Sequence, residues 1–207
     1  MEYSSVNSSI SPDLVSAYEK LATSLISDTL DRQTGLYGLV PYHNGKSLVG
    51  RALTVKTREG DNKIIHEALQ LAHPGDVLVI DGAGHLTRAL IGEIIVMKAR
   101  AIGVAGFVID GAIRDAEAIR TMDMPCYARG VSHLGPYKTG PGVINQPVAC
   151  AGSVVMPGDL IVGDADGVIA LPVQTAQRIL EDVRARGADE ASKIAALQAG
   201  RPNQPRP

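Results

Sequence analysis

Two short apolar runs stand near the middle of the sequence, HPGDVLVID at residues 73–81 and GVAGFVID at residues 103–110. Each run has the length and composition of a buried strand, and the helical spacing of residues 87–101 predicts a helix between them. Strands joined by such a crossover pair in parallel with a right-handed connection. The ends that carry Asp81 and Asp110 therefore meet at one edge of the sheet. This central βαβ unit predicts an α/β fold.

Helices and short strands are predicted on both sides of this unit. Ser11 followed by Pro12 is a typical helix start, and apolar spacing carries that helix to about Asp31. Residues 47–57 alternate in polarity and predict a strand. The remaining predicted elements are a helix over residues 64–72 capped by Asp61, a helix over residues 115–122, short strands within residues 126–130, 143–152 and 159–172, and a final helix over residues 175–197.

The length and composition are those of one folded domain. The chain has 207 residues, of which 45% are hydrophobic and 20% are charged. We expect a single domain over residues 11–199, between a flexible arm at residues 1–10 and a flexible tail at residues 200–207. The two cysteines, Cys126 and Cys150, lack the spacing of a zinc site.

Charge and hydropathy argue against several classes of partner. The 20 Lys and Arg residues nearly balance the 22 Asp and Glu residues, and no basic stretch interleaved with aromatic residues could follow a phosphate backbone. No apolar segment approaches the roughly 18 residues of a membrane span, and the first residues do not resemble a secretory signal. We expect a cytoplasmic protein that binds neither nucleic acid nor a membrane.

The segment FVIDGAIRDAEAIR, residues 107–120, is the first candidate for a functional site. It places Arg114 and Asp115 where a buried strand ends and a helix begins. Asp115 could simply cap that helix. A cation at a helix N-terminus, however, faces the unfavourable end of the dipole unless an anion lies between them, and a guanidinium binds carboxylates with two parallel hydrogen bonds. The segment slightly favours ligand binding over a purely structural role.

The second candidate is the glycine-containing segment DGAGHLTRALIGEII, residues 81–95. It lacks both the G-x-G-x-x-G spacing of a dinucleotide site and the G-K-[ST] ending of a P-loop. Glu93, taken alone, is an ordinary solvated carboxylate, but the parallel strands place it beside Arg114. Carboxylates that share water suit Mg²⁺ or Mn²⁺. His85, in the same segment, is a weaker candidate.

Six segments in this order resemble the RraA-like family, from about Asp28 to the final helix. They are ISDTLDR, HPGDVLVIDGAG, LIGEII, KARAIGVAGFVIDGAIRD, PCYARG and GDLIVGDADGVIALP. That family includes the 4-hydroxy-4-methyl-2-oxoglutarate aldolases, which also decarboxylate oxaloacetate, and the regulators of ribonuclease E activity. The resemblance implies a swivelling β/β/α core with a C-terminal helix, assembled as a trimer or a dimer of trimers with sites between subunits.

The resemblance also implies roles for individual residues. Arg114 would bind the carboxylate and oxo group of pyruvate or of the substrate's pyruvyl part, and Asp115 would ligate Mg²⁺ or Mn²⁺ directly. Glu93 would contact the metal through water, and so would Glu190 of a neighbouring subunit. The backbone N–H groups that would meet the substrate belong to Gly92, Glu93, Ile94 and Ile95.

The activity implied is that of a class II, metal-dependent pyruvate aldolase and oxaloacetate decarboxylase. Cleavage next to a 2-oxo acid leaves an enolate of pyruvate, whose charge a metal and Arg114 could stabilise. The alternative is a non-catalytic, protein-binding regulator like the ribonuclease inhibitors of the family, which end before the last helix. A quinone methyltransferase is disfavoured, because no glycine-rich cofactor loop follows the first strand.

Overall fold

The computed structural model describes residues 10–32 and 35–200. Most of the predicted arm, residues 1–9, and of the predicted tail, residues 201–207, lies outside the described residues. The elements in chain order are α1 (Pro12–Tyr18), α2 (Thr23–Thr29), β1 (Val40–Pro41), β2 (Leu48–Thr57), α3 (Lys63–Leu71), β3 (Asp76–Ile91), α4 (Glu93–Ile102), β4 (Gly106–Ile113), α5 (Ala116–Thr121), β5 (Cys126–Val131), β6 (Gly142–Ile144), β7 (Val148–Cys150), β8 (Ser153–Val155), β9 (Leu160–Gly163), β10 (Val168–Leu171) and α6 (Val173–Gln198).

A large sheet with parallel strands at its centre organises the molecule. Its order is β1-β5-β4-β3-β2-β9-β10, with β6 paired to β2. The four strands β2 to β5 are parallel, and Asp81 lies opposite Asp110, as the sequence predicts. Antiparallel β1 adds to one side, and β9 and β10 add to the other. Residues 77–80 have no exposed surface, because the sheet is covered on both faces.

Helices cover one face of the sheet and a β-hairpin covers the other. The helical layer, α3 to α5, packs through residues such as Ile65, Val96 and Ile119. The hairpin of β7 and β8 packs on the opposite face through Val148 and Cys150. The layers therefore run hairpin, sheet, helices, and the predicted α/β class with a β/β/α core is confirmed.

The C-terminal helix α6 is also confirmed. It joins α1 and α2 against β9 and β10, where the hydroxyl of Tyr18 donates to the carbonyl of Ala176 at 2.8 Å. The buried residues of α6 end at Val183, so the half of the helix that carries Glu190 is largely exposed. No helix within the described ranges is long and apolar enough to cross a membrane.

The single helix predicted from residue 12 to about residue 31 is wrong, because the structure has two helices there. The backbone N–H and the hydroxyl of Thr23 each donate to a carboxylate oxygen of Asp164 at 2.7 Å. Asp164 follows β9, and its carboxylate satisfies donors at the start of α2. A partner 141 residues away starts a second helix here, and apolar spacing within residues 12–31 carries no sign of it.

The helix predicted over residues 87–101 begins too early. β3 continues to Ile91, and α4 begins at Glu93. The second half of β3 pairs with β4 through irregular register, with shifts on either side of the pair formed by Ala89 and Ala112. Bulges break the alternation expected of a strand, so the apolar residues of this stretch fit helical spacing equally well.

Candidate active site

Three of the predicted site residues, Gly92, Arg114 and Asp115, meet at the junction between β3 and α4. A Cβ on Gly92 would lie 2.5 Å from Oδ2 of Asp115 and 2.9 Å from Cγ of Arg114. The backbone of Gly92 is extended, so these neighbours, and not a turn, exclude a side chain here. The N–H of Arg114 donates to the carbonyl of Ile91 at 3.0 Å and ties the two segments together.

Asp115 lies at the start of α5, but its side chain hydrogen-bonds to the first residue of α4. Its backbone is left-handed, with φ of 56°, and its side chain makes no capping hydrogen bond to α5. Oδ2 instead accepts the N–H of Glu93 at 3.1 Å. The carboxylate therefore lies at the N-terminus of α4, where the helix dipole favours negative charge. Asp115 occupies the N-cap position of α5, but the alternative in which its side chain caps that helix is not what the structure shows.

The guanidinium of Arg114 extends from Asp115 to the loop that follows β5. Its Nε lies 3.6 Å from Oδ2 of Asp115, and the side chain is 42% exposed. Its Nη1 lies 3.2 Å from the position that a Cβ on Gly135 would occupy. Among the described residues, Asp115 is the one carboxylate within 4.0 Å of this guanidinium. Most of the N–H donors of Arg114 are therefore available to an anion.

The first turn of α4 supplies the backbone of the site. The N–H of Glu93 is engaged by Asp115, and the N–H of Ile95 donates to the carbonyl of Gly92 at 3.1 Å. The side chains of Glu93 and Ile94 are exposed, whereas that of Ile95 lies in the core. The predicted contacts of this segment with a substrate stay predictions.

Glu190 makes no hydrogen bond or ion pair with Arg114 or Asp115 in the described part of the chain. It lies in the exposed half of α6, and the buried half of that helix packs with α1 and α2. The residues beneath the junction, including Ile91 and Ile113, belong to the core under α3 to α5. A role for Glu190 at a neighbouring subunit's site stays a prediction.

A loop after β5 is fixed beside the junction by Asp61. This carboxylate is fully buried, and Oδ2 accepts the N–H groups of Thr139 at 2.7 Å and Gly140 at 2.9 Å. Oδ1 accepts the N–H of Lys63 at 2.9 Å, while Asn62 occupies the capping position of α3. Burial alone would raise the pKa of Asp61, but these hydrogen bonds outweigh it and lower the pKa.

Arg88 reaches the same loop from β3 and was not among the predicted site residues. Its Nη1 donates to the carbonyl of Gly135 at 2.6 Å, and its guanidinium carbon lies 4.1 Å from the ring centre of Tyr137. The sequence offers one signal for it, an arginine within the apolar stretch LTRALI, most of which falls in the predicted helix of residues 87–101. The weaker candidate His85 hydrogen-bonds to Thr87.

The oxygen atoms that the site offers to a metal suit a cation that keeps most of its water ligands. Within residues 10–32 and 35–200, no group of three or more His, Cys, Asp or Glu side chains is arranged to hold a metal. Asp115 is half-exposed, and its Oδ1 has no hydrogen-bond partner in the described part of the chain. One available carboxylate oxygen fits Mg²⁺ or Mn²⁺ with water ligands, and it does not fit a zinc site built from protein ligands.

These groups can bind a small carboxylate and stabilise negative charge that develops next to it. Arg114 offers parallel N–H donors, and the N-terminus of α4 adds a partial positive charge. Asp115 offers an oxygen to a cation. The arrangement is a preorganised anion site with the capacity for electrostatic catalysis.

Comparison with known proteins identifies the family to which this sequence is similar. The model of the RraA-like (Aldolase/RraA) family matches residues 23–170. A protein of Halalkalibacterium halodurans is 40% identical over 186 residues, which are 89% of each chain, and carries the provisional name 4-hydroxy-4-methyl-2-oxoglutarate aldolase.

Two solved structures share the fold. An uncharacterized protein from Pseudomonas syringae pv. tomato superimposes with a TM-score of 0.84 at 28% identity, covering 93% of this chain and 96% of its own. The RNA-processing inhibitor RraA from Thermus thermophilis has a TM-score of 0.68 at 28% identity. That match covers 93% of the inhibitor but 74% of this chain, so the inhibitor is the shorter protein.

Proposed function

The chain belongs to the RraA-like family, and on that basis we propose that it is a metal-dependent lyase that cleaves a C–C bond of small 2-oxo acids. The proposed reactions are retro-aldol cleavage of 4-hydroxy-4-methyl-2-oxoglutarate and decarboxylation of oxaloacetate. The observation that carries the proposal is the meeting of Arg114, Asp115 and the first turn of α4 around Gly92. The name of the relative that matches 89% of both chains supports the first reaction.

In this proposal, Arg114 binds the carboxylate and the 2-oxo oxygen of the substrate's pyruvyl part. A guanidinium matches that pair of oxygens with a planar fork of donors. The segment from Gly92 to Ile95 faces the substrate in this proposal and adds the positive end of α4, with the N–H groups of Glu93 and Ile95 already bonded to Asp115 and Gly92. The contacts of Arg114 with Ile91 and Asp115 hold these donors in place before the substrate arrives.

Asp115 is the residue that we propose as the direct ligand of Mg²⁺ or Mn²⁺. Its Oδ2 is held by the N–H of Glu93, which orients Oδ1 independently of the cation. Glu93 and Glu190 of a neighbouring subunit would act through water. When bound, the cation would polarise the 2-oxo group and offset negative charge on its oxygen.

Both reactions break the bond between C3 and C4 of the 2-oxo acid and pass through the enolate of pyruvate. The electron pair of that bond moves toward the 2-oxo oxygen, where Arg114 stabilises the charge. In the retro-aldol reaction the 4-hydroxyl loses its proton, and in the decarboxylation CO₂ leaves. We assign the proton transfers, including protonation of C3, to water, since the side chain of Glu93 is exposed and that of Asp115 is half-exposed.

We also propose that the chain assembles as a trimer or a dimer of trimers, with Glu190 reaching a neighbouring site. The half of α6 beyond Val183 is about 22 Å long and makes little contact with its own subunit. Exposed apolar side chains lie on the elements around the Gly92 junction, a pattern typical of subunit interfaces. They are Leu86, Ile94, Met97, Val131 and Leu134.

The proposal is tested by pyruvate release from both substrates, with Mg²⁺ or with EDTA. We expect metal-dependent turnover that falls about 100-fold or more in Arg114→Met and in Asp115→Asn, since each removes charge from the site. Asparagine tolerates the left-handed backbone of Asp115, so this change leaves the fold intact. Arg120→Met, which removes an exposed arginine of the adjacent helix α5, is the matched control. A folded, metal-loaded wild type that releases no pyruvate would contradict the proposal.

A further inference from the structure

Arg88 is a partly buried cation that lacks an acidic partner in the described part of the chain. No Asp or Glu oxygen there lies within 4.0 Å of its guanidinium. Its guanidinium contacts the carbonyl of Gly135 and the ring of Tyr137. The carbonyl uses one of five N–H donors and the ring covers a face, so most of the donor edge remains available. Such a group is well suited to bind a carboxylate from outside the chain.

Arg88 and Arg114 both approach one residue, Gly135. Nη1 of Arg88 contacts the carbonyl oxygen of Gly135, and Nη1 of Arg114 lies 3.2 Å from the position of a Cβ on the same residue. The dimensions of a single residue place these two nitrogens no more than about 9 Å apart. A five-carbon dicarboxylate that hydrogen-bonds to one guanidinium at each end can span that distance.

The loop that contacts Arg88 is itself fixed by several hydrogen bonds. Tyr137 and Gly135 belong to the loop that the buried carboxylate of Asp61 holds through Thr139 and Gly140. The N–H of Tyr137 also donates to the carbonyl of Gly60 at 2.8 Å. Because these contacts fix the loop, the guanidinium of Arg88 is oriented before any ligand binds, which lowers the entropy cost of binding.

We propose that Arg88 binds the distal carboxylate of the substrate and makes the site selective for five-carbon-chain 2-oxo dicarboxylates over 2-oxo monocarboxylates. The inference rests on the proposed function, in which Arg114 takes the 2-oxo acid end. In the aldol substrate the distal carboxylate stays charged throughout and becomes part of the second product. In oxaloacetate the second carboxylate leaves as CO₂ and loses its charge, so holding it would oppose the reaction. Arg88 therefore assists aldol cleavage and does not assist decarboxylation.

The direct test is equilibrium binding of 2-oxoglutarate and of 2-oxobutanoate by calorimetry in the presence of Mg²⁺. We expect the wild type to bind the dicarboxylate about 10- to 100-fold more tightly, the range of one charge-assisted hydrogen-bonded pair. Arg88→Met should remove this preference and leave 2-oxobutanoate binding unchanged. Arg88→Lys, which keeps the charge without the planar fork, should retain part of it. Arg58→Met is the matched control, because the guanidinium carbon of Arg58 also lies near the Tyr137 ring, 5.6 Å from its centre.

The same variants separate this inference from the proposed function. In Arg88→Met, kcat/KM for 4-hydroxy-4-methyl-2-oxoglutarate should fall about 10- to 100-fold while oxaloacetate decarboxylation stays within a factor of about two. A purely structural role for Arg88 would lower both activities and both affinities together, and would overturn the inference. A wild type without preference for 2-oxoglutarate would overturn it as well. A wild type that binds with this preference but cleaves neither substrate would support the proposed binding role of Arg88 and contradict the lyase proposal.

Discussion

Gly92 determines how closely the strand and helix approach the functional side chains. Its extended backbone is open to any amino acid, so the requirement for glycine comes from contact alone. At Asp115 the backbone sets the requirement instead, because its left-handed conformation favours Asp, Asn or Gly whatever lies nearby. The parallel βαβ geometry predicted that Glu93 would lie beside Arg114. It could not predict that the carboxylate of Asp115 accepts a hydrogen bond from a helix that begins 22 residues earlier.

Gly92→Ala should damage the site far more than the fold. The new methyl group would stand 2.5 Å from Oδ2 of Asp115 and must displace it from the N–H of Glu93. We expect kcat/KM to fall about 100-fold, the effect of a displacement of roughly 1 Å in a preorganised site. The loss in unfolding free energy should be about 1–3 kcal/mol.

The matched control for that change is Gly130→Ala in β5. A Cβ there meets Leu86 at 3.4 Å, which is an ordinary contact, and the backbone is not left-handed. Steady-state kinetics and urea denaturation of both variants provide the comparison. Equal activity losses in the two variants would show that Gly92 has no special role at the site.

The element that the sequence described least well is β3, and the error had a consequence for the site. Periodicity identified its first half, because residues 77–80 form an unbroken buried run. Its second half is held by bulged pairing with β4 and by the N–H of Ala89, which donates to Leu134. These are long-range contacts that periodicity does not encode. Because the sequence analysis placed Arg88 on a helix, it did not predict the contact of this side chain with the loop after β5.

That loop should depend on Asp61. In Asp61→Ala, three backbone N–H groups lose their acceptor, and we expect unfolding free energy to fall by about 2–4 kcal/mol. Asp61→Asn keeps one acceptor oxygen and should lose less. Urea denaturation at pH 7 measures both changes. Equal stability of wild type and Asp61→Ala would contradict a structural role for this carboxylate.

The pH dependence of this contribution has a definite sign. The pKa of Asp61 in the folded protein lies below the ordinary value of 3.8. The stability that the carboxylate supplies is therefore fully present above about pH 3.8 and is lost as the pH falls through the lowered pKa. Comparing wild type with Asp61→Asn across this acid range isolates the effect.

At the scale of the whole molecule, the core of the described residues falls into three clusters, and half of α6 lies outside them. Apolar periodicity predicted the central βαβ unit and the last helix, whereas the β/β/α layers were implied by the family resemblance. The family resemblance alone indicated the role of Glu190. That proposed role would depend on a contact between chains, and the periodicity of one chain holds no information about a partner's position.

A site shared between subunits can be tested by mixing two inactive variants. Arg114→Met and Glu190→Ala subunits, unfolded and refolded together in equal amounts, should regain pyruvate release because roughly a quarter of the shared sites combine two intact halves. Arg114→Met mixed with Asp115→Asn should regain none, since both changes lie in one loop of one subunit. Light scattering checks that each mixture assembles. Absence of recovery in the first mixture would contradict the role of Glu190.

The hydrogen bond between the N–H of Glu93 and the carboxylate of Asp115 also has a practical consequence. An amide proton shared with an ionised acceptor resonates at a frequency that depends on the charge of that acceptor. A single backbone resonance in a ¹⁵N-correlated spectrum, that of Glu93, thus records the electrostatic state of Asp115. Titrations of cations and of small anions can be followed there residue by residue, with no turnover and no chromophore.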